Sequence, residues 1–374
     1  MGALKSIQDI EDFVRGCTFF GTGGGGPPEA GIRWLSELLD QGKELAWVPA
    51  DEVSDDVWTV CCYLMGSIAP QTDEITRTKK GFGLTKRTID HMAAEAGREL
   101  SRYANATLAA LVPLEIGGAA TPSALAAGAV FGVPVVDGDY SGGRAIPEVP
   151  QTTPIICGQP MWPMASVDAY GNKAIIADAS SYEMAERIGK KLSEASFDIV
   201  GNAAFLLRGK VMKKTVVKGT LTNSLKVGRV IREARDQGKD PVEAAREAAN
   251  GWILFEGKVS GKDWEDKEGY LWGTHTITGA RDFNGQEFKI WFKNENHVTW
   301  LNGNPYVTSP DTVVVVDLKT AEPKTNTVIK EGDEVAVIGI EAAEAFTTEK
   351  GIEILGPKHF EFDLKYKPIA QCMR

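Results

Sequence analysis

The sequence predicts an α/β N-terminal domain with a mainly parallel sheet, plus a C-terminal α+β domain rich in β-strands. Up to about residue 150, short apolar runs alternate with amphipathic helical stretches, and Gly, Asp or Glu follows the run ends, the pattern of strands feeding helices in a parallel layer. Beyond Trp252 the apolar runs come without intervening helices and are separated by Gly, Asn, Asp or Pro turns. The chain's 374 residues, 43% of them hydrophobic, exceed what one core organises, so two domains are expected. They are placed at 1–165 and 166–374.

Taken in order, Ile10, Phe13, Val14 and Cys17 recur at helical spacing and predict a helix over 7–19. Ile32, Leu35, Leu38 and Leu39 predict a second over 28–39. Between them lies Gly21-Thr22-Gly23-Gly24-Gly25-Gly26-Pro27-Pro28. Five glycines in six positions exclude a helix or strand interior, because glycine loses the most chain entropy on ordering. The prolines suit the approach to a first helical turn, where a missing N–H costs little. Backbone N–H groups of such a loop form a site for an anion or a carbonyl oxygen. The alternative is a turn that lets two helices pack closely. This is not a nucleotide motif: no Gly-Lys-Ser/Thr follows, and the preceding element is a helix rather than a strand. No nucleotide cofactor is expected.

Strands are expected at 45–48, 58–68, 107–114 and 133–136, with helices over 85–103 and from Thr121 to about Phe131. In parallel sheets ligands bind beyond the carboxyl ends of the strands. The segments 66–74, 115–123 and 137–148 should therefore converge on one crevice. The Pro-rich stretch 151–163 reads as the crossover to the second domain. Helices follow at 181–192 and, broken near Gly238 and Pro241, within 220–249. Strands are expected at 253–259, 270–278, 287–292, 298–300, 313–317 and 335–340.

A net charge of −10 argues against a nucleic-acid partner, which needs a basic stripe. No apolar run approaches the ~20 residues of a membrane span, and the N-terminus has no signal-peptide core. The five cysteines form no CxxC pair, so reduced thiols in a cytoplasmic protein are expected. Acidic enzymes of this size commonly form symmetric assemblies, and a homo-oligomer is expected.

Several residues have the chemistry of a site. Glu115 follows a buried strand and precedes Gly117-Gly118, and burial at that position would raise its pKa into the range of a general base. Asp137, Asp139, Arg144 and Glu148 share one loop. They read as solvated charges, as a carboxylate cluster for a divalent cation, or as a base oriented by Arg144. Cys17, nearest the glycine loop, is either a small core residue or a thiolate nucleophile. Asn294-Glu295-Asn296 either faces a ligand or forms a turn. His91, His275, His297 and His359 make no metal-binding pattern.

Several stretches together resemble the S-methyl thiohydantoin desulfurase-like family. They are GCTFFGTGGGGPP (16–28), MGSIAP (65–70), PLEIGG (113–118), VDGDYSGGRAIPEVPQTT (136–153), VDAYGN (167–172), FKNENHV (292–298), PYVTSPDTVVVVDLKTAEP (305–323) and EGDEVAVIGIEA (331–342). They run nearly end to end in the order of the family's two domains. The resemblance implies hydantoin-type catabolism beside hydantoinase/oxoprolinase-type enzymes, in the breakdown of methylated ergothioneine-like thiols. The named activity replaces a methylthio group with oxygen from water, giving a hydantoin and methanethiol. Such a reaction needs a nucleophile, polarisation of the ring and a protonated leaving thiol. Glu115 or Asp139 would activate water, and Cys17 offers a covalent route. Thr22, Gly23, Gly24, Gly25, Gly26, Gly117, Gly118, Glu148 and Asn294 would contact a small heterocyclic substrate, with Arg144 neutralising a substrate carboxylate. A metal version would use Asp137, Asp139 or Glu148. The alternatives are a hydrolase of another cyclic amide or amidine, and a non-catalytic ligand-binding subunit docking on a hydantoinase through aromatics such as Trp264, Trp272 and Trp300.

Overall fold

The computed structural model describes residues 2–66 and 72–373. The helix Ile7–Phe20 starts at Ser6, whose hydroxyl accepts the Asp9 N–H at 3.1 Å, and it buries the predicted face of Ile10, Phe13, Val14 and Cys17. It crosses the helix Thr220–Asp236 at very close range. A Cβ on Gly16 would lie 1.7 Å from the Ser224 carbonyl oxygen, and one on Gly228 would lie 1.8 Å from that of Asp12. Only glycine permits this approach. The helix Pro28–Asp40 begins on proline, as expected.

The N-terminal sheet has eight strands in the order 2–4, 45–48, 135–136, 108–113, 58–65, 200–208, 164–167, 173–176. The strands from 45–48 through 58–65 in that order are parallel neighbours. The strand 2–4 at one edge, and 200–208 with 164–167 and 173–176 at the other, add antiparallel pairings. The sheet is thus mixed around a parallel centre. Strand Trp58–Met65 shows the two-residue period of a doubly covered strand. Val60 and Cys62 join the core under the helices 7–20, 92–104 and 120–131, while Cys61, Tyr63 and Met65 join the core on the opposite face.

Some boundaries differ from expectation. The strand expected over 58–68 ends at Met65, and residues 67 and 68 lie outside the described residues. The helix expected over 85–103 begins at Met92, because the N–H groups of Thr88 and Ile89 are instead taken by the Ala169 carbonyl. A helix Asp73–Gly81 was not foreseen; it buries no residue, so no apolar period marks it. The Pro-rich stretch 151–163 leads into the antiparallel part of the same sheet, and the expected boundary at 165/166 falls inside the strand Met164–Val167.

The C-terminal half is a seven-stranded antiparallel sheet. Its strand Thr312–Asp317 alternates: Val313 and Val315 enter the C-terminal core, while Val314 and Val316 pack into the core of the N-terminal helices. One strand therefore joins the two halves. Among the described residues, no helix is long and apolar enough to cross a membrane.

Candidate active site

The glycine loop is clasped from both halves of the molecule. The Asn296 N–H donates to the Thr22 carbonyl at 2.8 Å, and the Asn326 N–H donates to the Gly23 carbonyl at 2.7 Å. The N–H groups of Ala119 and Ala120 donate to the Gly25 carbonyl at 2.9 and 3.1 Å. Gly25 and Gly117 touch backbone to backbone, each leaving no room for a Cβ, which would approach the other's Cα to 2.4 Å.

Behind the loop lies a cavity of about 160 Å³, lined mainly by apolar side chains such as Leu64, Met65, Leu114 and Ile146. Gly25, Gly26, Glu115 and Asn294 of the expected site residues line it. So do Glu186 and Lys190, which sequence reasoning did not place there, and Glu295, from the triplet that reads as ligand-facing or a turn. Glu115 emerges just past the strand Leu108–Pro113, and its Oε2 accepts the Ile146 N–H at 2.8 Å. Of the segments expected to converge, Glu115 with Ala119 and Ala120, and Ile146 with Pro147, reach the cavity. Gly66 also reaches the cavity, whereas residues 67–71 lie outside the described set.

Glu295 arrives from the other half. Asn294, with φ 58°, forms the tip between strands Glu287–Lys293 and Glu295–Leu301. Its side-chain oxygen accepts the Leu271 N–H at 2.8 Å, and its carbonyl accepts from the Asn326 amide at 2.8 Å. The Glu295 carboxyl group lies across Gly24, where a Cβ would sit 1.9 Å from Oε1, and the Gly25 N–H favours its charged form. Among the described residues its Oε2 is buried without a partner.

Burial pushes Glu115 up to about 7; the Ile146 N–H and Lys190 oppose this, and Asp139 adds to it. Burial drives Glu295 well above the usual carboxylate range, and Glu115 raises it further. Two buried carboxyl groups that repel each other retain a proton near neutrality. Glu186 is raised by burial and accepts the Val149 N–H at 3.1 Å and the Tyr270 hydroxyl at 3.0 Å. Lys190 lies 3.9 Å from the centre of the Tyr270 ring. Burial lowers its pKa, against the pull of Glu186, Glu295 and Glu148.

Other expected site residues do different work. Gly23 packs on the Asn326 side chain, and Gly118 lies against Thr18 and Gly26. The Thr22 hydroxyl donates to the Val313 carbonyl at 2.7 Å. Arg144, expected to meet a substrate carboxylate, is 2% exposed. Its guanidinium donates instead to the carbonyls of Ala145, Asn296, Pro310 and Asp311, joining the two halves. Burial pushes Asp139 up to about 6, and its carboxylate ties Ser141 and Gly143 together. Glu148 is engaged by Lys293 and by His359 at 2.9 Å. Despite burial, these partners pull it down to about 2. Cys17 is wholly buried, its thiol pushed up to about 12 by burial, and it does not line the cavity.

The candidate cation ligands do not fit a metal. Asp137 caps the helix Thr220–Asp236 through the N–H groups of Leu221 and Thr222, while Asp139 and Glu148 have the partners just given. Among the described residues, no three His, Cys, Asp or Glu side chains are grouped to hold a metal ion.

Of the residues missed, Glu295 stood in a polar triplet without a sign of its direction. Glu186 and Lys190 did carry a signal: they share one helix face with Ala185, Gly189 and Ser193, so charges sit on a stripe that only small residues make buriable.

In fold, the chain is similar to a crystal structure of a protein from Chromobacterium violaceum, with a TM-score of 0.79 and 20% identity over 99% of this chain and 100% of that one. No curated protein matches it. The S-Me-THD-like N-terminal domain matches residues 8–178 and the S-Me-THD-like C-terminal domain matches residues 180–369. With both domain models matched in order across the cavity that joins them, the chain belongs to the S-Me-THD-like family.

Proposed function

We propose that the protein is a hydrolase that replaces the methylthio group of an S-methylated thiohydantoin-type ring with oxygen from water. The observation that carries this reading is Glu115. It lines a mostly apolar cavity suited to a small planar heterocycle. Burial holds it at about 7, where a carboxylate is both available and basic enough to activate water. Family membership supports the thiohydantoin-like substrate.

In this mechanism Glu115 takes a proton from water as its oxygen bonds to the ring carbon. The C=N electron pair moves onto nitrogen, which then receives that proton. Collapse of the adduct expels sulfur and leaves the hydantoin carbonyl. The Gly25–Gly26 backbone forms the wall beside the ring.

The test is methanethiol release by the purified chain from a panel of S-methyl thiohydantoins and plain cyclic amides. Glu115→Gln is expected to cost roughly 10²–10⁴ in rate. A loss under about tenfold would remove Glu115 from the role of base. Release only after a hydantoinase is added would favour a partner subunit instead.

A further inference from the structure

We propose that Glu295 is the acid that protonates the departing sulfur. This rests on the hydrolase reading above. Glu295 is 2% exposed, and it is carried into the cavity at a hairpin tip from the opposite half of the chain to Glu115. Its two oxygens differ. One side of the carboxyl group lies against Gly24, with the Gly25 N–H favouring its charged form. Oε2, by contrast, is buried and has no partner among the described residues.

A buried carboxylate oxygen left without a donor is costly. Protonation of the carboxyl group lowers that cost, and Glu295 lines the cavity into which a substrate would bring an acceptor. The neighbourhood favours this state. Glu115 and Glu295 repel each other's charge, and burial raises both. One of them therefore keeps its proton while the other is ionised, which is the division of labour an acid and a base need.

The proton count closes. Water's first proton passes through Glu115 to the ring nitrogen. On collapse, the hydroxyl proton goes to Glu115 as the C=O forms. The C–S bond breaks with its electron pair on sulfur, and Glu295 supplies the proton that makes methanethiol. Glu115 is then protonated and Glu295 ionised. One proton moving from the first to the second restores the starting pair.

Lys190 is the competing donor. It lines the same cavity and a neighbouring one of about 540 Å³. Its ammonium, however, faces the Tyr270 ring and the Gly269 carbonyl at 3.5 Å.

The experiment compares two substrates, the S-methyl compound and its S-trifluoroethyl counterpart, whose thiol is more acidic and needs less help to leave. With Glu295→Gln, kcat for the S-methyl compound is expected to fall about 10²–10⁴-fold, and that for the S-trifluoroethyl compound less than about tenfold. Glutamine keeps an acceptor for the Gly25 N–H. Should it not fold, Glu295→Asp, which draws the acid back by one methylene, is expected to show the same split at smaller size. An equal loss on both substrates, no loss on the S-methyl compound, or a split found in Lys190→Met instead overturns the assignment. If the wild-type chain releases neither thiol, the hydrolase reading itself falls, and the acid with it.

Discussion

Replacing Glu115 by glutamine is expected to stabilise the folded chain at pH 8 while it slows the chemistry. Burial holds this carboxyl at about 7 instead of its ordinary 4.5. At 1.36 kcal/mol per pKa unit, that difference is worth up to about 3 kcal/mol. The sign follows from proton linkage. Between pH 4.5 and about 7 the folded chain keeps a proton that the unfolded chain has released, so its stability falls as pH rises through that window. Above it the full penalty of a buried charge is present. Below it both states are protonated and the penalty is absent. Glutamine carries no charge, and its oxygen can still accept the Ile146 N–H, so a net gain of about 1–3 kcal/mol is expected at pH 8 and almost none at pH 4. The assay is urea unfolding at both pH values, compared by midpoint because a chain with several cores need not unfold in one step. A variant midpoint at or below wild type at pH 8, or the same gain at both pH values, would refute the reasoning.

Turnover should rise with pH through about 7 as Glu115 loses its proton, and a pH–rate profile flat from 6 to 8 would count against that residue as the base. Gly24→Ala places a Cβ 1.9 Å from Glu295 Oε1 and should lower kcat by about 10² through misplacement of that carboxyl. Gly81→Ala, where a Cβ meets nothing within 4 Å, should leave turnover unchanged. Arg144→Lys replaces a planar fork serving four carbonyls with an ammonium of three donors at one point and should cost on the order of 3 kcal/mol, read from the shift of the urea midpoint. Cys17→Ala should retain near-normal turnover because the thiol, pushed to about 12 by burial, is not ionised at neutral pH; loss of activity in a folded variant would reinstate the thiol.

What was readable in the sequence was what local pattern determines. The helix Ile7–Phe20 and the parallel strands carried their periods openly, and Glu115 at a strand end was visible as a cavity residue in waiting. The antiparallel strand Val200–Arg208 was missed although it pairs with Trp58–Met65 at the heart of the sheet. Its partner lies some 140 residues away in the chain, and no turn marks the pairing. The direction of Glu295 was hidden for the same reason. Glu295 reaches the cavity only because two sheets dock, and no local spacing records a docking. Arg144 was misjudged because a buried guanidinium serving backbone carbonyls and an exposed one awaiting an anion look alike in a sequence.

The clasp on the glycine loop has a consequence for the order of assembly. Thr22 and Gly23 are held through Asn296 and Asn326, and Arg144 spans to Asn296, Pro310 and Asp311. The loop precedes the first strand of the parallel centre, yet the segments that hold it belong to the second half of the chain. An N-terminal half folding on its own would leave these carbonyls and this guanidinium to water. Glu295 lines the cavity from the strand Glu295–Leu301, so competence for chemistry waits for the second half of the chain, and separated halves should regain it only by recombining.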